Sequence, residues 1–260
     1  MPSRVEIRSI TDAQLSSFRE AFTASKSIGA NSAIDNRGYA YWAGLHGLPG
    51  QYCQHGTLLF LPWHRAYLYL FEKSLQDQVS GVTLPWWDWT SADSHAQGIP
   101  ASYSDPAADN PLQSAPISLT PELIDLLRQQ IPGAISDGPD PTSVRDPGPP
   151  AELPTADTVN AVLEYSSFDD FSMQVENVHN AVHAWVGGSM GQIPTAAFDP
   201  VFWAHHSMID RLWYLWQMSH PGVGPAESML NMPLAPFPLT VAQVLDITPL
   251  GYDYAVAVIN

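Results

Sequence analysis

The chain has 260 residues, 45% hydrophobic and only 14% charged, a length that predicts one domain or at most two small ones. Its 10 basic and 26 acidic residues give a formal net charge of −16, which removes the electrostatic footing for nucleic acid and disfavours an anionic membrane surface. The lone cysteine, Cys53, excludes an intrachain disulfide, a multi-cysteine zinc site and an iron–sulfur cluster built from one chain.

The opening Met1-Pro2-Ser3-Arg4 leads into no apolar run, so neither a signal peptide nor a membrane span is expected. That fits a cytoplasmic protein or a trimmed secreted one. Thr11 reads as a helix N-cap, followed by Leu15, Phe18, Ala21 and Phe22 at helical spacing. A second helix is expected over 36–43. A third starts at Pro62, a favoured first-turn residue, and runs through the apolar stripe Trp63, Ala66, Tyr67, Leu70, Phe71 and Leu75. Pro85 to Trp89 reads as an aromatic loop.

From 91 to 158 prolines recur, and only Thr120–Gln130 has a helix signature there. The rest reads as a long proline-rich surface excursion within one domain. Helices are expected again over 169–185 and from Asp199-Pro200 to Ser219, where Pro221-Gly222 stops the chain. No strand-period segment exceeds a few residues. The expected fold is therefore mainly α: a central four-helix bundle with long irregular loops.

The nine histidines carry the chemistry. His179 and His183 are four apart on one helix, so their rings share a face, as two ligands of one metal would. Asn180 stands where a zinc protease would have its glutamate. His206, on the next helix, can complete a set of three. His46, His55 and His64 form a second set, with His64 on the apolar third helix, a costly place for an unpartnered ring. A structural role accounts for one such residue more easily than for two triads. Two sets of three imidazoles without carboxylates suit copper above other first-row metals. A di-iron site would need Glu-x-x-His pairs, and none lies near these histidines. Cys53, two residues before His55, is either a small buried hydrophobe or a thiol able to bond the imidazole.

Tyr52-Cys53-Gln54-His55-Gly56 and Phe60-Leu61-Pro62-Trp63-His64-Arg65 resemble the first copper-binding region of tyrosinases and catechol oxidases. The run from Asn177 through His183 to Gly188, then Asp199 to His206 and Ile209-Asp210-Arg211-Leu212-Trp213, resembles the second. Pro85-Trp86-Trp87-Asp88-Trp89 and Tyr252-Asp253-Tyr254 are similar to two further family motifs. The resemblance implies two copper ions: copper A on His46, His55 and His64, copper B on His179, His183 and His206, with His205 beside the ligands. It implies a thioether between Cys53 and His55. Glu176 and Asn180 match a pair that holds a water for phenol deprotonation, Phe202 an aromatic beneath the substrate ring, and Ile193 a gate residue.

The implied activity is ortho-hydroxylation of monophenols and oxidation of o-diphenols to o-quinones, with small phenols and O2 as partners. Alternatives within the resemblance are a catechol oxidase, an o-aminophenol oxidase and a haemocyanin-like oxygen carrier. The carrier is disfavoured here because the chain ends six residues after Tyr254, with no shielding segment. An N-terminal arginine, taken as Arg8, is expected to pack on the tyrosine motif.

Overall fold

The computed structural model describes residues 1–29, 35–107 and 109–255. Its frame is helical. Helix α1 (Asp12–Gly29) is capped by Thr11, whose Oγ1 accepts the Gln14 N–H at 3.2 Å. Its Phe18, Ala21 and Phe22 are fully buried, as their spacing predicts. The second helix, α2 (Tyr39–His46), starts three residues later than expected. It has no side-chain cap, and the expected start at Asn36 instead forms a turn whose carbonyl accepts the Trp42 indole N–H. The shift carries the helix to His46, which becomes its last residue.

Helix α3 (Phe60–Gln76) is buried on nearly every face of its first half, with Pro62 in the first turn, where no amide donor is needed. Four shorter helices follow: α4 (Ala92–Gln97), α5 (Ala101–Ser104), α6 (Pro121–Gln130) and α7 (Ala156–Leu163). Helix α8 (Phe168–Val186) is capped by Ser167, and α9 (Val201–Ser219) ends just before His220. Helix α10 (Val241–Val244) closes the set. Helices α3, α8 and α9 pack against one another, while α1 covers α2 and α3. These packed faces enclose the histidines.

The two ends of the described chain meet in a parallel pair, β1 (Ser3–Arg4) with β2 (Asp253–Tyr254). Arg4, not Arg8, is the arginine on the tyrosine motif. Its guanidinium lies 3.7 Å from the Tyr252 ring centroid, donates to the Tyr254 hydroxyl at 3.0 Å, and pairs with Glu72 at 2.9 Å and Asp210 at 3.2 Å. Strand pairing sets this register by placing Arg4 opposite Tyr254. Arg8 points elsewhere, to Glu6 and the Gly98 carbonyl.

The proline-rich stretch is more than a surface excursion. Tyr103, Leu112, Ala115, Ile117, Leu127 and Leu153 are buried in the same hydrophobic core as the bundle. Prolines break its helices without preventing apolar side chains between them from reaching inward. The additional helices were hidden by brevity, although Ser91 and Thr155 cap α4 and α7 as such residues do. No described helix is long and apolar enough to cross a membrane.

Candidate metal centre

Helix periodicity brings the first three histidines together. On α8, His179 and His183 lie one turn apart with ring centroids separated by 4.4 Å. The Nδ1–H of His183 donates to the Met190 carbonyl at 2.7 Å, and that of His179 donates to Asn180 Oδ1 at 3.0 Å. An acceptor on each Nδ1 leaves each Nε2 with a lone pair. His206, from α9, places its own Nε2 3.2 Å from that of His179 and 3.1 Å from that of His183. One proton on His206 can satisfy only one of these two neighbours. Three converging imidazole nitrogens with at most one proton among them make a donor set that wants a cation.

The second triad forms where α2 ends, the 47–59 loop passes and α3 begins. His64 donates through Nδ1 to the Phe60 carbonyl at 2.8 Å, one turn back on α3. Its Nε2, and that of His46, are buried without a hydrogen-bond partner. Such orphaned groups are costly in a protein interior unless something binds them. The His55 ring lies 5.2 Å from both His46 and His64, centroid to centroid. Within each group the possible ligand atoms all lie within 4.8 Å of one another. The triads adjoin: the His64 and His206 rings stack at 4.6 Å.

The electrostatics suit a metal. Burial pushes His55 down to about 4; burial, partly opposed by the Met190 carbonyl, does the same for His183. Burial, and then the neighbouring imidazoles, hold His46, His64, His179 and His206 well below the usual imidazole range. All six rings are therefore neutral near pH 7, the form that ligates. A donor set of imidazoles alone, with no thiolate or carboxylate, fits copper.

His205 belongs to the same cluster geometrically. It is fully buried, neither ring nitrogen has a hydrogen-bond partner, and it packs 5.1 Å from His179 and 4.8 Å from His183. Sequence adjacency alone cannot choose between it and His206. The close Nε2 contacts belong to His206.

Beside these imidazoles lies a cleft of about 190 Å³ whose walls include His46, His179, His183, Asn180 and Ile193. Ile193 stands at its rim, 50% exposed. Phe202 is buried and is not among the cleft-lining residues. It packs behind the histidines, 4.1 Å from the His206 ring and 4.8 Å from His46. Glu176 is buried one turn before His179, and its Oε1 accepts the Gly56 N–H at 2.7 Å. Burial raises its pKa, and the Gly56 hydrogen bond only partly opposes the rise. Cys53 is half buried, and burial pushes its thiol up to about 11. Sequence reasoning missed Met190, which acts through its backbone carbonyl and so leaves no side-chain signal. It also missed the second task of Asn180, which orients His179.

The common central domain of tyrosinase matches residues 36–219. The tyrosinase of Streptomyces glaucescens is 36% identical over 205 residues, covering 67% of this chain and 68% of that protein. The A-type haemocyanin of Enteroctopus dofleini, units Ode to Odg, is 34% identical over 202 residues, 71% of this chain. The match spans only 16% of that multi-unit protein. Among solved structures, a functional unit of octopus haemocyanin aligns with a TM-score of 0.79 at 28% identity, covering 98% of this chain and 68% of that one. Recombinant mushroom tyrosinase shares the fold at a TM-score of 0.78 and 24% identity, over 97% of this chain and 60% of that one. With that match over most of its length and two imidazole groups in its core, the chain belongs to the tyrosinase family, whose members bind two copper ions through such histidine groups.

Proposed function

We propose that the protein is a phenol oxidase that uses O2 to hydroxylate monophenols at the ortho position and to oxidise o-diphenols to o-quinones. His46, His55 and His64 would hold copper A, and His179, His183 and His206 copper B. When bound, the copper pair supplies the reduction of dioxygen coupled to oxidation of the phenolic ring. The observation that carries the reading is the cleft, which reaches His46, His179 and His183 directly and has room for a single aromatic ring.

The chain's own residues then have separable tasks. Ile193 borders the entry, and Phe202 backs the His46 and His206 rings so that they hold their positions. Asn180 keeps His179 in the tautomer that presents Nε2, while its amide forms part of the cleft wall. Glu176 has one carboxylate oxygen engaged by Gly56; through the other it would accept the phenol proton by way of a water shared with Asn180. A phenol titrates near ~10, so its deprotonation at neutral pH needs a base, and the burial-raised pKa of Glu176 narrows the gap. Cys53 bonded to His55 would fix that ring on its loop without entering turnover.

Glu176→Gln keeps an oxygen for Gly56 but cannot take a proton. It should lower monophenol turnover about 10²–10⁴-fold and diphenol turnover far less. An equal fall with both substrates would remove Glu176 from the base role. The similarity to haemocyanins favours a second reading, reversible oxygen carriage. Bulk at Ile193 favours a third, diphenol oxidation alone. In that case trimming Ile193, and not changing Glu176, would alter monophenol turnover.

A further inference from the structure

The 143–148 segment joins the two helices that supply the copper B histidines. It lies inside the proline-rich stretch that the family motifs do not cover. Its backbone lies along the C-terminal end of α8. Asp146 N–H donates to the Val186 carbonyl at 3.0 Å, Gly148 N–H to that of Trp185 at 2.8 Å, and Ser189 N–H to that of Val144 at 2.8 Å. The approach is too close for side chains on the α8 side. A Cβ on Gly187 would meet the Asp146 carbonyl oxygen at 2.5 Å, and one on Gly188 that of Val144 at 2.3 Å. Both glycines also sit at positive φ, +63° and +51°, where a side chain is strained. The next residue after this junction, Ser189 apart, is Met190, whose carbonyl fixes the His183 ring.

The same segment reaches α9 through one side chain. Arg145 makes a forked pair with Asp199, Nε to Oδ2 at 2.7 Å and Nη2 to Oδ1 at 2.6 Å, with side-chain exposures of 10% and 0%. Asp199 Oδ1 also accepts the Val201 N–H at 2.9 Å, in the first turn of α9. His206 lies about one and a half turns further along that helix. Two further N–H groups of Arg145 donate to the Tyr103 and Leu112 carbonyls, at 2.7 and 3.0 Å, which immobilises the guanidinium.

We propose that Arg145 is a positioning residue for copper B: it fixes the start of α9 against the end of α8 and so holds His206 at its spacing from His179 and His183. The proposal rests on the assignment of copper B to those three histidines. A planar fork is required, because two parallel hydrogen bonds set an angle as well as a distance. Lysine would retain the charge and lose the angle.

The test is copper release to a Cu(I) chelator, measured separately for each site. In a His179→Ala background the protein keeps copper A alone, and in a His64→Ala background copper B alone. Adding Arg145→Gln should accelerate release from copper B about tenfold or more, the scale seen when a group supporting a metal ligand is removed, and leave copper A unchanged. Arg145→Lys should fall between wild type and Arg145→Gln, and it keeps the test open if the glutamine variant fails to fold. Val159→Ala, a core truncation in α7, provides a control of lowered melting temperature. Release that is unchanged, equal at the two sites, or matched by Val159→Ala at equal melting temperature would overturn the proposal. Two coppers still bound in either single-histidine background would instead mean that the ligand assignment has failed.

Discussion

Replacing Arg4 with alanine should be among the most damaging changes outside the copper ligands. The side chain is fully buried, and it joins Glu72 of α3, Asp210 of α9, Tyr252, and Tyr254 of β2 in one network. Burial would raise the Asp210 pKa, but Arg65 and Arg4 outweigh it and hold the carboxyl below its usual range. Without Arg4, Asp210 retains Arg65 at 2.5 Å and the two tyrosine hydroxyls, at 2.7 and 2.6 Å. Glu72 retains only the Leu84 N–H among its described side-chain hydrogen bonds. Breaking a buried ion pair by removing one partner costs about 3–5 kcal/mol. For a chain of this size that corresponds to a fall in melting temperature of roughly 6–20 °C. Arg8 is the control. Its pair with Glu6 spans 3.3 Å, with exposures of 20% and 14%, and solvent screening limits such a pair to about 1 kcal/mol or less. Thermal unfolding of both alanine variants followed by circular dichroism makes the comparison. Equal losses, or a loss below about 1 kcal/mol for Arg4→Ala, would refute the reasoning.

Three further outcomes follow from the site. His206→Ala should leave one copper per chain by metal analysis, whereas His205→Ala should retain two; the reverse pattern would exchange their roles. If Cys53 is bonded to His55, the denatured copper-matured protein should be lighter than its sequence by two hydrogens and show no titratable thiol; a free thiol would exclude the bond. The metal-free protein should lose stability as pH falls from about 6.5 to about 4. The unfolded chain takes up protons in that window, while folded His55 and His183 take them up only near 4. A urea midpoint that is flat between pH 7 and 5 would contradict the burial of these rings.

The parts of this structure that were readable in the sequence share a physical reason. His179, His183 and His206 sit on long helices whose apolar spacing and caps are local properties, so the face they occupy follows from residue number alone. His64 likewise stands out as a polar ring on an apolar helix. The N-terminal arginine was misplaced because its partners, Tyr252 and Tyr254, are set by a two-residue parallel pairing between distant ends of the chain. Nothing within a local window distinguishes Arg4 from Arg8. The 91–158 segment was underestimated because its prolines announce turns, whereas the burial of Leu112 or Leu153 depends on which surface those turns face. Arg145 was invisible for the same reason: its meaning lies in Asp199, far along the chain.

The most direct test of the central claim is oxygen uptake by the copper-loaded protein, with a simple monophenol and with the matching o-diphenol. The account predicts net O2 consumption with both, quinone formation in step with it, and a monophenol lag that a trace of diphenol removes. Reversible oxygen binding with no net consumption in the presence of either phenol would contradict it and make the protein a carrier.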